Sequence, residues 1–143
     1  MAKYCIGIDP GISTGMAISS DGKIINVKTV NFWDCIKLLR DMQNMGIVVY
    51  VENPNVNKPV FFKRGVNNAA MIQKVAQDVG RNKRDAALII EFCNRNNIKN
   101  MPLPPQRGSK DVDAKYFQLL TGYEGSTSQH GRDAAMLIVG RKF

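Results

Sequence analysis

The 143-residue sequence has few cysteines, a single histidine, a single tryptophan and no long apolar run. Its cysteines, Cys5, Cys35 and Cys93, are odd in number, lie far apart and form no C-x-x-C pair. These features argue against a disulfide framework or a cysteine-based zinc site, and they favour buried free thiols in a reducing compartment. No segment approaches the roughly 20 apolar residues of a membrane span, and the first residues lack the layout of a signal peptide. We therefore expect a soluble, cytoplasmic protein without a membrane partner.

The length and the composition are those of one globular domain. Of the residues, 44% are apolar and 22% are charged, and single hydrophobic cores commonly form at this length. We expect one domain that spans residues 1–143.

The basic excess of the chain lies in its middle. The net charge is +8, and residues 58–110 hold eleven basic and three acidic side chains, whereas residues 1–57 and 111–143 are each balanced. A solvated basic face is the simplest alternative, but so one-sided a segment favours a polyanionic partner, above all nucleic acid.

The apolar patterns and turn signals predict three strands followed by alternating helices and strands. The predicted strands are 4–9, 16–19, 24–30, 47–51 and 97–103; the predicted helices are 34–45, 68–96 (with a kink or break at Gly80), 113–120 and 132–139. A three-stranded meander followed by α/β units predicts an α/β fold with a mixed five-stranded sheet and helices on its faces. Chemistry in such a sheet is expected where loops leave the carboxyl ends of the strands.

Two acidic residues occupy such strand ends. Asp9 closes the first predicted strand, and Glu52 directly follows the fourth. If these strands are parallel neighbours, their ends lie about 4.8 Å apart, close enough for both carboxylates to share a cation. Alternatively, each acid is only the first polar residue of a loop.

A second pair of polar residues stands at the start of the last predicted helix. His130, the only histidine, precedes Asp133 by three residues, so both side chains would share one face of the helix. Helix capping is the alternative role for the pair. Together with Asp9 and Glu52, the pair could bind Mg²⁺ or Mn²⁺, and paired cations of this kind cleave phosphodiesters.

Three motifs resemble those of the RuvC-like Holliday-junction resolvases, which belong to the ribonuclease H-like superfamily. They are G-I-D-P-G-I-S-T-G-M-A-I (7–18), V-Y-V-E-N-P (49–54) and H-G-R-D-A-A-M-L-I (130–138). The resemblance spans nearly the whole chain. The first motif alone is also similar to the phosphate-binding turn of sugar kinases and actin-like ATPases, but this chain is too short for their two lobes.

The resemblance implies a ribonuclease H-like fold and an active site with two Mg²⁺ or Mn²⁺ ions. It implies that Asp9, Glu52 and Asp133 are metal ligands, with His130 where many members have aspartate. It also implies that Lys115 orients a phosphate, although a helix-surface lysine is nearly as good an interpretation.

The resemblance further suggests residues that contact nucleic acid. Phe61 or Phe62 would stack on bases, unless the V-F-F segment packs beneath its loop. Basic residues near these aromatics, at Gly80 and before the penultimate helix are the candidate phosphate contacts; they are Lys63, Arg64, Arg81, Lys83, Arg84, Arg107 and Lys110. A solvated surface is the alternative for the cluster at residues 81–84.

The sequence thus predicts a metal-dependent endonuclease that nicks branched DNA, preferentially four-way junctions. Two symmetric nicks imply a homodimer, for which apolar residues of the predicted helix 68–96 could supply the contact. The shortened glycine-rich turn after Asp9 is more similar to phage or mobile-element members, which can cut branched DNA more broadly. The alternatives are a related ribosomal RNA-maturation nuclease and a non-catalytic nucleic-acid-binding module.

Overall fold

The structure, a computed structural model, describes residues 3–54, 69–105 and 112–142, with the backbone alone for some of residues 69–79. The strands are β1 (Tyr4–Asp9), β2 (Thr14–Ser20), β3 (Lys23–Val30), β4 (Ile47–Glu52) and β5 (Lys99–Leu103). The helices are α1 (Phe32–Met42), α2 (Ala69–Arg95), α3 (Ala114–Thr121) and α4 (Gln129–Met136). None of these described helices has the length and hydropathy of a membrane span.

The strands form one mixed sheet in the order β3-β2-β1-β4-β5. The β1–β2 and β2–β3 pairs are antiparallel, and the β1–β4 and β4–β5 pairs are parallel. Asp21 and Gly22 both have positive φ in the β2–β3 turn. A two-residue type I′ hairpin loop requires positive φ at both positions. The predicted α/β fold, with a mixed five-stranded sheet flanked by helices, is confirmed.

Successive residues of β1 face opposite sides of the sheet, and this alternation separates two cores. Ile6 and Ile8 pack in a core with residues of α1 and α2, whereas Cys5 packs in a second core with residues of α3 and α4. Asp9 follows Cys5 and Gly7 on the side that α4 covers. Cys5, Cys35 and Cys93 are free and buried, which confirms the prediction of buried thiols.

Helix α4 lies against the sheet at positions where a side chain would not fit. A Cβ atom at Gly15 would lie 1.9 Å from the carbonyl oxygen of His130, and one at Gly7 would lie 2.2 Å from that of Ala134. At Gly131, a Cβ atom would lie 2.6 Å from Cγ1 of Val27. Glycine is the residue that permits such close backbone approach. These glycines therefore fix the height of α4 above β1 and β2.

Hydrogen bonds from capping side chains set helix boundaries that the apolar pattern misplaced. Helix α4 begins at residue 129, three residues earlier than predicted, because Ser128 Oγ accepts a hydrogen bond from the Gly131 N–H (3.0 Å). Helix α1 begins at residue 32 instead of 34, because Asn31 Oδ1 accepts from the Asp34 N–H (2.8 Å). Residues 137–140 form turns beyond α4.

The longest helix also differs from its prediction. Helix α2 is continuous from Ala69 to Arg95, so Gly80 does not break it. Ala86 and Ile89 are buried in the core, and Ile90 packs against that core. These three apolar residues pack in the interior of the subunit, and the predicted dimer contact stays a prediction.

Candidate metal centre

Asp9 lies at the carboxyl end of β1, where the loop 10–13 leaves the sheet. Its side chain is 16% exposed, and its Oδ2 lies 3.6 Å from Nδ1 of His130. The backbone of Asp9 is paired with Gly15 on β2, the residue against which the His130 carbonyl rests. The same close approach therefore brings the carboxylate and the imidazole together.

His130 and Asp133 both belong to α4 and meet Asp9 on one side. Each of Asp9, His130 and Asp133 offers one potential ligand atom, a carboxylate oxygen or an imidazole nitrogen, and these three atoms lie within 4.8 Å of one another. We call these residues the three-residue group. The i, i+3 spacing predicted this shared face, and the strand order adds Asp9 to it.

The start of α4 is held to the sheet by a hydroxyl pair. Ser128, the N-cap of α4, forms a short hydrogen bond through its Oγ with Oγ1 of Thr29 on β3. The capping role that was the alternative for His130 and Asp133 belongs to Ser128. His130 thus remains available at the open side of the group, with 55% of its side chain exposed.

Asp133 is only 7% exposed, and a buried carboxylate needs hydrogen-bond donors. Gln129 Nε2 donates to Asp133 Oδ1 (2.8 Å), and Arg132 Nη2 donates to Gln129 Oε1 (3.2 Å). Arg132 Nε also donates to the carbonyl oxygen of Val112 (3.0 Å), which ties α4 to the segment before α3. Neither Gln129 nor Arg132 was predicted from the sequence; the i, i+4 spacing of Gln129 and Asp133 was the available signal.

Glu52 is the last residue of β4 and lies at the same edge of the sheet. Ile8 is paired with Val51 in the parallel β1–β4 ladder. Asp9 and Glu52 are the next residues of the two strands, so they lie side by side at the ends of the strands. The two strands are therefore the parallel neighbours that the sequence analysis required. The half-buried side chain of Glu52 is not a member of the three-residue group.

The donor set of the three-residue group fits a small divalent cation. Two carboxylates and one imidazole are ligands that Mg²⁺ or Mn²⁺ accepts, and a site with three protein ligands leaves positions for water or a phosphate oxygen. Asp9 and Asp133 are largely shielded, whereas His130 faces solvent, so a large substrate could approach from the histidine side.

Lys115 lies in the first turn of α3, and its side chain is exposed. The turn is capped by Asp113, whose Oδ1 accepts a hydrogen bond from the Tyr116 N–H (2.7 Å). The helix starts at residue 114, one residue after its predicted start. The exposed position allows either a phosphate contact or an ordinary surface lysine.

Three of the predicted phosphate contacts lie on α2 beside the loop that follows Asp9. Arg81 and Arg84 are exposed and Lys83 is half-buried. Asn82 lies within this cluster and close to Gly11. If Gly11 had a side chain, its Cβ atom would lie 3.6 Å from Oδ1 of Asn82. The basic cluster thus borders the loop that follows Asp9.

Asp85 is the acidic neighbour of this basic cluster. Partial burial raises the pKa of Asp85, and the positive charge of Arg81 opposes that rise. Arg81 therefore interacts electrostatically with this carboxyl group.

The other predicted nucleic-acid contacts lie outside the described residues. They are Phe61, Phe62, Lys63, Arg64, Arg107 and Lys110. The predictions for these six residues stay predictions.

Comparisons with known proteins found no match: no protein-family model matches the chain, and no curated protein matches its sequence. The resemblance to RuvC-like resolvases therefore stays a prediction from the three motifs. Function has to be inferred from the geometry of the site.

Proposed function

We propose that this protein is a metal-dependent endonuclease that nicks branched DNA, preferentially four-way junctions. The convergence of Asp9, His130 and Asp133 at the carboxyl edge of the sheet is the observation that carries the proposal. Converging carboxylates repel phosphate groups unless a cation lies between them, so a protein that only binds DNA gains nothing from them.

Four described residues would hold two divalent cations. Asp9, His130 and Asp133 would hold one divalent ion, and Glu52, next to Asp9 in the parallel ladder, would share the second ion with it. When bound, the two ions would supply activation of the attacking water and stabilisation of the leaving oxygen. The products would be a 5′-phosphate and a 3′-hydroxyl.

The protein's own contribution is to hold these ligands in place before the substrate arrives. Asp9 is fixed by the pairing of β1 with β2, and the Asp133 carboxylate is oriented by the Gln129 amide. His130 adds a ligand without adding negative charge, which lowers the repulsion that a scissile phosphate meets. Lys115 would orient that phosphate from α3.

The charge distribution supports nucleic acid as the partner. The whole net charge of +8 lies in residues 58–110, and the described part of that segment includes Arg81, Lys83 and Arg84, whose neighbour Asn82 lies near Gly11 in the loop after Asp9. Lys and Arg on such a surface contact phosphates independently of sequence. Resolution of a four-way junction needs two symmetric nicks, so we propose a C₂ homodimer.

A nicking assay on a synthetic four-way junction tests the proposal. The substrate is incubated with Mg²⁺, with Mn²⁺ or with EDTA, beside a linear duplex of the same sequence and a structured RNA. We expect nicks in the junction with either metal, few in the duplex and none with EDTA. Cleavage of the RNA alone would favour the ribosomal RNA-maturation nuclease, and tight binding of the junction without any cleavage would favour a non-catalytic module.

A further inference from the structure

Trp33 is a large aromatic residue that the fold does not bury. It is 75% exposed, and among the exposed large hydrophobic residues in the described part of the chain only Leu119 (77%) exceeds it. A tryptophan ring in water forgoes the free energy that burial would give it, so a tryptophan with this exposure is a candidate contact for a partner.

The topology places the start of α1, and with it Trp33, at the end of the sheet where Asp9 lies, with α1 packed on the face opposite to that of Asp9. Because β3 is antiparallel to β2 and β2 is antiparallel to β1, β1 and β3 end at the same edge. Val30 is paired with Thr14, and Asp9 with Gly15. Strand β3 thus ends two strand spacings, about 10 Å, from Asp9, and Trp33 follows that end by three residues.

The ring of Trp33 is presented by a rigid element. Helix α1 is capped by Asn31 and anchored in the core by Cys35 and Leu39. The neighbouring ring of Phe32 packs against this core and lies edge-on to Trp33, with centroids 5.1 Å apart and planes at 78°. A ring held in advance loses little conformational freedom when it binds.

Basic residues continue from Trp33 along the same side of α1. Lys37 and Arg40 follow it by four and seven residues and are both exposed, so they share its face of the helix. Arg40 also lies 3.6 Å from the carboxylate of Asp41. An exposed aromatic ring followed by cations is the combination with which proteins bind unstacked nucleic-acid strands.

We propose that Trp33 stacks on an unpaired base of the DNA. The inference rests on the proposed function. The contact would involve a base that is unstacked at the branch point, since the face of a base is hidden inside a regular duplex.

The fluorescence of this residue reports the contact directly, because Trp33 is the only tryptophan of the chain. The protein is titrated with a four-way junction in EDTA, which prevents cleavage, and with a linear duplex of the same sequence. We expect stronger quenching by the junction than by the duplex. Stacking on one base corresponds to about 5- to 150-fold in affinity, so Trp33→Ala should weaken junction binding within that range.

Two controls separate stacking from other roles. Trp33→Phe keeps an aromatic face and should recover most of the affinity, whereas Leu119→Ala, which truncates an equally exposed residue on α3, should leave it unchanged. Stacking releases no counterions, so Trp33→Ala should not alter the slope of log affinity against log salt.

The outcomes for Trp33 and for the nuclease are distinguishable. The stacking inference is wrong if the junction does not change the fluorescence of the parent protein and Trp33→Ala binds the junction as tightly as the parent. If the parent still nicks the junction in that case, the proposed nuclease function stands. Quenching by the junction without nicking in any metal would support the stacking contact and contradict the nuclease.

Discussion

His130 gives the candidate metal centre its only imidazole. Imidazole favours Mn²⁺ over Mg²⁺ more than a carboxylate does, and it adds no negative charge. We expect faster junction nicking with Mn²⁺ than with Mg²⁺ at equal concentration. His130→Asp should keep nicking and shift the preference toward Mg²⁺, and His130→Ala should lose most of the activity with both metals.

Initial nicking rates in titrations of the two metals check this prediction. Lys142→Ala, which truncates an exposed side chain beyond α4, serves as the control and should retain the parent preference. Equal nicking by His130→Ala and by the parent with both metals would show that the histidine is not a ligand.

The buried thiols make stability depend on alkaline pH. Burial raises the pKa of Cys35 to about 12, with a further contribution from Cys93, and burial raises the pKa of Cys93 to about 11. The folded state therefore keeps protons that the unfolded state loses above its ordinary thiol pKa of 9.0. The stabilising contribution of these thiols is complete below pH 9 and is lost as the pH rises toward 11 to 12.

Urea unfolding between pH 8 and 11 measures this loss. Each thiol should lower the free energy of unfolding by up to about 1.4 kcal/mol per pH unit in that window. Cys35→Ala should be less stable at pH 8 but should show a shallower decline, which separates the thiol from titrating lysines and tyrosines. Parallel declines for the parent and the variant would contradict the assignment.

Local patterns carried only part of the information about the candidate site. The spacing of His130 and Asp133 predicted their shared helix face, whereas Asp9 joins them through the packing of α4 on the sheet. The i, i+4 spacing of Gln129 and Asp133 was a local signal for their hydrogen bond, but the contact by which Arg132 holds the amide reaches a segment 20 residues away and had no local signal.

Helix α4 is positioned by glycines of the sheet, and this contact can be tested by adding one methyl group. Gly15→Ala would force apart β2 and the His130 backbone, which the Cβ atom would otherwise approach to 1.9 Å. We expect a loss of stability of about 1–3 kcal/mol and a larger loss of metal-dependent nicking, because His130 moves away from Asp9.

Gly80→Ala is the matched control. No described atom lies within 4 Å of the position of its Cβ, and the residue lies inside α2, where alanine is favoured over glycine by up to about 1 kcal/mol. This variant should be slightly more stable than the parent and should nick normally. Thermal unfolding and nicking rates together check both variants, and a Gly15→Ala protein as stable and active as the parent would refute the role of the close approach.

The kinds of the elements followed from the sequence, whereas their ends and their order did not. The N-cap residues Asn31 and Ser128 start their helices before the first residue of the apolar pattern. Helix α2 continues through Gly80 without a break. The parallel pairing of β1 with β4 joins residues more than 40 positions apart. No local pattern encodes such a contact; only the burial of both strands between two helical layers selects it.

The uneven charge of the whole molecule predicts a salt-dependent affinity for DNA. With the net charge of +8 confined to residues 58–110, log affinity should fall linearly with log salt concentration. Replacing Arg81, Lys83 and Arg84 together by glutamine should reduce that slope, by about 0.9 for each DNA phosphate that the variant no longer neutralises.

Arg95 and Lys99 provide the control for this prediction. Arg95 ends α2 and pairs with Glu91 (3.0 Å), and Lys99 begins β5 at the edge of the sheet opposite to Asp9. Their double replacement by glutamine lowers the net charge by two, against three for the first variant, but should leave the slope almost unaltered. Equal slopes for both variants would show that net charge acts without a localised surface.

The most direct test of the proposed function compares cleavage and binding in Asp9→Asn. Asparagine keeps the size of the side chain at the end of β1 and removes one anionic ligand, while the basic surface stays intact. Junction nicking in Mg²⁺ and in Mn²⁺ and junction affinity in EDTA are measured for the parent and the variant. We predict that the parent nicks the junction with either metal, and that Asp9→Asn binds it with parent affinity but nicks it at least about 100-fold more slowly, the loss expected for a group that stabilises the transition state. Nicking by Asp9→Asn at the parent rate would contradict the metal centre on which the proposed function depends.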